Sequence, residues 1–189
     1  MKELEERIVA EGKVFAGDVL KVDGFLNHQM DPALFRRMAQ EWRRLFDGEV
    51  TKILTIEASG IGLACMAGEV FGCPVLFAKK SRTRNIAGSV YTAQVESYTH
   101  GGVYTILCSK EYLLPTDKVL ILDDFLANGN ALMGLLDLCA QAGAEVVGAG
   151  VAVEKAYQPG GARVRAQGVR VEALARVRRM SPDDGVVFC

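Results

Sequence analysis

The sequence has few of the residues that build metal centres, and it has no long apolar segment. It contains two histidines and five cysteines, and the cysteines are scattered and never spaced as Cys-x-x-Cys. This pattern excludes a zinc site of the usual spacing, and we interpret the cysteines in apolar stretches as small core residues. No apolar run is long enough to cross a bilayer, and the charged residues 1–7 lack the apolar core of a signal peptide. We therefore expect a cytoplasmic protein without a membrane anchor.

The sequence also lacks an excess of charge of either sign. Lysine and arginine total 22, aspartate and glutamate total 23, and the formal net charge is -1. Without a basic tail or stripe, a dedicated nucleic-acid binder is not expected. At 189 residues, half of them hydrophobic, the chain fits one domain over residues 1–189 with a substantial core.

Hydrophobic periodicity predicts alternating helices and strands. Strands are predicted at 51–56, 74–78, 118–122, 145–153, 169–177 and 185–188, and helices at 2–11, 32–46, 61–71, 130–142 and 161–168. This order predicts an α/β fold with a mainly parallel sheet covered by helices on both faces. Residues 14–29 are expected to be extended and irregular. Residues 79–103 break the alternation, with an exposed hairpin strand at 90–97, and we predict that this segment is a flexible lid.

The most informative stretch is residues 119–131. An apolar strand ends at Asp123 and Asp124, and a small polar turn then leads into a helix. Backbone N–H groups in such a turn form a cradle for a phosphate; its residues are Ala127, Asn128, Gly129, Asn130 and Ala131. The two acids suit vicinal hydroxyls or a hydrated magnesium ion. Together these features describe a ribose 5-phosphate site, although an isolated Asp-Asp pair is more often an ordinary polar strand end.

Other polar residues follow the remaining strands, and ligands of open parallel sheets bind at the carboxyl ends of strands. Ser59-Gly60 offers backbone N–H groups to an anion, although a plain turn fits the two residues equally well. Lys79 and Lys80 fit a pyrophosphate, or simply a solvated basic run. Lys155 follows an apolar strand, and its ammonium would favour an oxo group over an amino group on a base. Asn27 has a donor and an acceptor for the same base, unless it is only a turn residue.

These motifs resemble the type I phosphoribosyltransferases. Residues 119–129 resemble the signature that binds phosphoribosyl pyrophosphate (PRPP), and residues 19–29 and 154–160 resemble the xanthine branch. The resemblance implies transfer of a phosphoribosyl group from PRPP to xanthine, in a homodimer whose chains each have a small hood over the base. It places Leu20, Asn27 and Lys155 at the base, and it gives Asp123 and Asp124 a catalytic role at the ribose. PRPP would be bound by residues 127–131, by Ser59-Gly60, and by Lys79 and Lys80. Mg²⁺ would be carried by PRPP or pyrophosphate and not bound directly by the protein.

Two departures from related branches limit the mechanism. Ala127 stands where hypoxanthine-guanine enzymes have an acid, so a loop carboxylate cannot be the general base here. Ser59 stands where the adenine branch has an arginine, so the pyrophosphate charge must be met by Lys79, Lys80, Arg82 and Mg²⁺.

Three other functions fit parts of the pattern. The same reaction on hypoxanthine or guanine would use the same lysine. A PRPP-sensing purine regulator shares this fold, but such regulators usually add a DNA-binding domain. A receiver-type signalling domain would place its acids after the first strand, whereas here they follow the third.

Overall fold

The structure, a computed structural model, describes residues 1–80, 88–97 and 102–189. The helices in these ranges are α1 Lys2–Glu11, α2 Pro32–Leu45, α3 Gly60–Phe71, α4 Asn130–Ala142 and α5 Gly160–Arg165, and a single π-helical turn covers Asp23–Asn27. The strands are β1 Lys13–Phe15, β2 Val19–Lys21, β3 Lys52–Ile56, β4 Val75–Ala78, β5 Val90–Ser97, β6 Gly102–Ser109, β7 Lys118–Leu126, β8 Glu145–Lys155, β9 Val171–Ser181 and β10 Gly185–Phe188.

Six of the strands form the central sheet, in the order β10-β9-β8-β7-β3-β4. All neighbours in it are parallel except β10, which runs antiparallel to β9. The predicted α/β fold with a mainly parallel sheet is therefore confirmed. Within the described ranges, no helix combines the length and apolar character that a bilayer span requires.

The two faces of the sheet support separate hydrophobic cores. Strand β7 shows the division, since Leu120 and Leu122 pack with α1, α2 and α3, whereas Val119 and Ile121 pack with α4 and α5. Neighbouring residues of a strand point to opposite faces, so a strand buried on both sides must be apolar throughout. This explains the continuous apolar run that precedes the two acids.

Helix α2 begins where the sequence predicts it. The Asp31 carboxylate accepts a hydrogen bond from the Leu34 N–H at 3.0 Å, and Pro32 occupies the first helical position. Such a cap contributes about 0.5–2 kcal/mol. The apolar face of α2 buries Leu34, Met38 and Trp42. These contacts fix the helix against the core.

Strand β7 is longer than predicted. The expected end at residue 122 is wrong, because pairing with β8 continues through Asp123↔Val151, Phe125↔Val153 and Leu126↔Glu154. The two acids are polar, but the buried neighbour strand holds them in extended backbone. They lie within the strand and not in the turn after it.

The segment between β4 and β7 contains a hairpin of two strands, and the sequence predicts only the first of them. The predicted strand over residues 90–97 is present as β5, but its antiparallel partner β6 is not predicted. The expectation of an exposed strand is wrong for one face, because Ala93 and Val95 are buried. The predicted lid at 79–103 includes residues 81–87 and 98–101, among them Arg82, which lie outside the described residues. The lid therefore stays a prediction.

The N-terminal stretch is more regular than the extended, irregular course predicted for residues 14–29. Strands β1 and β2 form a short antiparallel hairpin whose loop is residues 16–18. The π-helical turn then buries Phe25 and Leu26. We call β1, β2 and this turn the hood.

The carboxylate of Glu154, at the end of β8, is fully buried but paired. It bonds to Arg165 at 2.6 Å and to Arg176 at 2.8 Å. Burial alone would raise the pKa of Glu154, but the two guanidinium groups outweigh burial and hold that pKa below its usual value. Glu154 therefore fixes α5 and β9 to the end of β8 and is not available to a ligand.

We predict that Glu154→Gln lowers the free energy of unfolding by about 1–3 kcal/mol, because two arginines lose a charged acceptor. The depressed pKa stabilises the protein above the ordinary value of 4.5, and this stabilisation is lost as pH falls through the folded-state pKa. The difference between wild type and variant should therefore be complete at neutral pH and shrink in acid, as measured by urea denaturation at several pH values. The control is Glu69→Gln, which breaks an exposed pair with Arg36 and should change stability by less than about 0.5 kcal/mol. Equal losses in both variants would contradict the prediction.

Candidate active site

The carboxyl ends of β3, β4, β7 and β8 bring the predicted site residues to one edge of the sheet. Asp123 and Asp124 are both buried there, and their carboxyl groups lie close enough to interact with each other. Asp124 Oδ2 accepts a hydrogen bond from Asn27 Nδ2 at 3.1 Å. Asp123 lies under the turn at Gly60, where a Cβ atom would be 3.3 Å from Asp123 Oδ1 and would collide with the Thr55 hydroxyl. One acid therefore faces the hood, and the other faces the turn between β3 and α3.

The electrostatics of the pair favour a ligand that brings hydrogen-bond donors. Burial, and then the charge of Asp124, raise the pKa of Asp123 well above its usual range. The Asp124 N–H, which donates to Asp123 Oδ1 at 2.9 Å, and the Lys80 ammonium both oppose that rise. Hydroxyl groups or a cation at this point would stabilise the ionised form further.

The residues of the predicted phosphate cradle lie where β7 ends and α4 begins. Gly129 begins the helix with a φ of +81°, a conformation that glycine adopts without steric cost. In the part of the chain that the structure describes, no side chain caps this helix. The first-turn N–H groups are therefore open to an anion, and the helix dipole favours negative charge at the same point.

Helix α5 contacts this loop and holds it in place. The Gly160 N–H donates to the Ala127 carbonyl at 3.0 Å, and the glycine lies so close that a Cβ atom would collide with the loop backbone. Arg163 Nη1 donates to Asn128 O at 2.8 Å and to Asn130 Oδ1 at 2.7 Å. Residues 127–131 are therefore fixed by α5. In the two arginine contacts the bonded residues are 35 and 33 positions apart in the sequence.

The two predicted basic residues have different surroundings. The Lys80 N–H donates to Glu57 Oε1 at 2.6 Å, and the Lys80 ammonium lies 5.3 Å from the centre of the Tyr104 ring. The Lys79 backbone pairs with Leu107 of β6, and its ammonium lies 5.8 Å from the Phe77 ring. The geometry brings Lys80 to Asp123 and to Glu57, which precedes Ser59-Gly60. The roles of both lysines stay predictions.

The predicted base-binding residues surround the hood. Lys155 Nζ donates to the backbone carbonyl of Asp18 and lies 5.8 Å from the centre of the Phe125 ring. Burial lowers the pKa of Lys155, an effect that the Asp18 carboxylate partly reverses. Leu20 is buried in the packing of the hood. Phe25 is also buried and lies beneath Arg7, whereas Phe125 lies beside the lysine.

Three residues near the site are not identified by the sequence interpretation, and they are Asp18, Tyr104 and Arg163. Asp18 follows Gly17, and this pair is a turn signal, but no local pattern connects it with Lys155. Tyr104 belongs to the unpredicted strand β6. Arg163 is one of several arginines in α5 and β9, and only the fold shows which of them reaches residues 128 and 130.

Within residues 1–80, 88–97 and 102–189, no three His, Cys, Asp or Glu side chains converge as a metal site. The donors that converge are the two carboxylates of Asp123 and Asp124. Mg²⁺ prefers to keep several waters and substrate phosphates as ligands. Two acids therefore fit an ion that arrives with a phosphorylated ligand better than an ion held by the protein alone.

Comparisons with known proteins cover most of the chain. Residues 22–168 match the family model described as the phosphoribosyl transferase domain. The chain is 54% identical over 189 residues to a xanthine phosphoribosyltransferase of Bifidobacterium longum, covering 99% of this chain and 98% of that protein. It is 51% identical over 188 residues to a xanthine phosphoribosyltransferase of Lachnoclostridium phytofermentans, covering 99% and 97%.

Solved structures with the same fold are more distant in sequence. An adenine phosphoribosyltransferase of Rhodothermus marinus superposes with a TM-score of 0.76 at 21% identity, covering 94% of this chain and 100% of that one. The APRTase of Giardia lamblia complexed with 9-deazaadenine gives a TM-score of 0.78 at 21% identity, covering 93% and 98%. At this level of identity, the likeness concerns the fold alone.

We predict that Gly160→Ala displaces the phosphate cradle, because the new methyl group would meet the Ala127 carbonyl and lie 2.5 Å from Gly129 N. The loss in unfolding free energy should be about 1–3 kcal/mol, and the rise in melting temperature caused by ribose 5-phosphate should shrink. Gly48→Ala is the control, since nothing lies within 4 Å of its Cβ position. If Gly160→Ala behaved like this control in both measurements, the cradle would not depend on Gly160.

Proposed function

The chain belongs to the phosphoribosyltransferase family, and from this membership we propose that it transfers the phosphoribosyl group of PRPP to xanthine. The products are xanthosine 5'-phosphate and pyrophosphate, in a reaction of purine salvage. One observation supports the assignment most strongly. The buried Asp123-Asp124 pair lies between an open helix N-terminus at residues 127–131 and a second anion turn at Ser59-Gly60.

PRPP carries a phosphate at one end of its ribose and a pyrophosphate at the other. We place the 5'-phosphate on residues 127–131, where first-turn N–H groups and the helix dipole stabilise it. The ribose hydroxyls then donate to Asp123 and Asp124, which precede these residues in β7. The pyrophosphate lies at Ser59-Gly60 beside Lys80, the cation that faces Asp123.

The surroundings of the base favour an oxopurine. The Lys155 ammonium donates hydrogen bonds and cannot accept them, so it matches a carbonyl oxygen of xanthine and disfavours the amino group of adenine. Asn27 is fixed beside the site by its bond to Asp124, and its amide offers both a donor and an acceptor. The relatives named for xanthine are about half identical to this chain over its full length, which supports xanthine over other oxopurines.

The chemistry needs charge stabilisation more than a strong protein base. Departure of pyrophosphate leaves cationic character at the anomeric carbon of the ribose, close to the two carboxylates. Acids held in a buried strand are already oriented toward that charge and need little reorganisation. Ala127 has no proton-accepting group, so the side chains of the cradle position the substrate and do not remove its proton.

We propose that Mg²⁺ enters as a complex with the diphosphate. When bound, it would screen the charge of the leaving group. Lys80 supplies fixed positive charge on the same side, and the turn at Ser59-Gly60 supplies backbone donors. Asp123 is the side chain that would face such a complex. A homodimer and a cytoplasmic location stay predictions of the family resemblance.

We predict that Asp124→Asn lowers kcat/KM by about 30- to 1,000-fold, which corresponds to roughly 2–4 kcal/mol of lost transition-state stabilisation. Asparagine keeps the size of the side chain and its place in β7, so the protein should still fold. Asp137→Asn, on the exposed side of α4, is the matched control and should leave turnover unchanged. Near-normal turnover in Asp124→Asn would refute the ribose assignment.

Substrate choice is tested by pyrophosphate release from PRPP and Mg²⁺ with xanthine, hypoxanthine, guanine and adenine in parallel. We expect a strong preference for xanthine and no use of adenine. Equal use of hypoxanthine or guanine would keep the reaction and overturn the specificity. Tight PRPP binding with no release for any purine would instead favour a PRPP-sensing regulator.

A further inference from the structure

The loop of the hood hairpin contacts the lysine that we assign to the base. Lys155 Nζ donates to the Asp18 carbonyl, and Gln158 Nε2 donates to Asp18 Oδ2 at 3.3 Å. Asp18 also bonds to the Tyr157 hydroxyl, and burial together with this acid raises the pKa of Tyr157 to about 12. A single residue of the loop therefore reaches the last side chain of β8, Lys155, and two side chains of the segment that follows it, Tyr157 and Gln158.

The backbone of Asp18 is in a conformation that few residues adopt. Its φ is +61°, the one positive φ outside glycine in the described part of the chain, and Gly17 before it has a φ of +81°. Glycine is the residue that fits such a position at least cost, and aspartate and asparagine are tolerated through their short polar side chains. Glycine alone would satisfy this backbone conformation, so the conformation does not explain the carboxylate. The contacts of the carboxylate with Tyr157 and Gln158 indicate that it holds the loop in place.

A lysine ammonium on a four-carbon stem has no preferred direction of its own. At position 155 the stem is half-buried, and one of the three N–H donors is directed to the Asp18 carbonyl. The other two donors remain for a ligand. The position of the loop thus determines where an oxo group of the base would be bound.

We propose that Asp18 is a positioning residue of the base site, which fixes the Lys155 ammonium and thereby contributes to the choice of an oxopurine. This inference rests on the proposed function. The Asp18 carboxylate ties the loop to Tyr157 and Gln158, and its charge also favours the Lys155 ammonium. This tie holds the Asp18 carbonyl against Lys155 Nζ, so removing the carboxylate releases the lysine as well. The hood loop is therefore part of the base site as well as a cover for it.

The test compares three variants in steady-state kinetics. Asp18→Gly keeps the backbone conformation and removes the carboxylate, and Asp18→Asn keeps both the conformation and one acceptor oxygen. We expect KM for xanthine to rise about tenfold in Asp18→Gly and about threefold in Asp18→Asn. KM for PRPP should change less than about twofold in both variants. The ratio of kcat/KM for xanthine to kcat/KM for hypoxanthine or guanine should fall.

The control is Asp184→Asn in the loop between β9 and β10. Asp184 is also an exposed loop acid, and it pairs with Arg179 at 3.1 Å. Its replacement removes the same charge from another antiparallel hairpin and should leave every kinetic constant unchanged. Thermal unfolding of all variants shows whether each one is folded.

A double-mutant cycle with Lys155→Met separates positioning from general support of the fold. Methionine keeps an apolar stem and removes the ammonium. If Asp18 acts through Lys155, Asp18→Gly should raise KM for xanthine far less in the Lys155→Met background than in the wild type. Additive effects, or parallel losses in KM for PRPP and in melting temperature, would overturn the proposal.

Failure of this inference is distinguishable from failure of the proposed function. A wild-type protein without turnover on any purine would contradict the function itself. A wild-type protein that uses xanthine normally, together with an Asp18→Gly variant of unchanged KM and purine preference, would contradict only the role of Asp18.

Discussion

The pairing of β7 with β8 beyond residue 122 is the constraint on which the site depends. Because the ladder continues to Leu126↔Glu154, Asp123 and Asp124 are held in extended backbone. Their carboxyl groups lie close enough to interact with each other, and each acid also has a different further neighbour. Asp123 faces Gly60 and Lys80, and Asp124 faces Asn27 of the hood. A ribose bound between the two, as we propose, would have the turn at Ser59-Gly60 on one side and the hood on the other.

The same edge shows how the fold distributes buried charge. Glu154 and Asp123 are both buried acids in neighbouring strands, but their pKa values move in opposite directions. Glu154 is satisfied by two arginines, which makes it a structural contact. Asp123 has a second acid beside it and a weaker cationic influence from Lys80, and such an unbalanced pair is typical of a ligand site. Charge balance thus separates the structural acid from the pair that we assign to the ligand, although both lie at the end of a buried strand.

Much of the fold could be predicted because local rules and the tertiary structure agree. Asp31-Pro32 begins α2, Gly143 ends α4, and the apolar runs of β3, β7 and β8 are the strands of a sheet buried on both faces. The errors occur where a partner strand overrides local chemistry. Polar residues 123 and 124 remain in β7 because β8 pairs with them, and β6 is visible only through its pairing with β5.

The sequence by itself determined the family, the succession of strands and helices, and the residue types of the phosphate cradle, because each is encoded in a short contiguous pattern. Only the tertiary structure decided which side chains meet across long separations. Arg163 fixes residues 128 and 130, and Asp18 reaches Lys155 from 137 positions away. Neither contact leaves a periodicity or spacing in the sequence. Both depend on where the sheet and the hood place loops that are far apart along the chain.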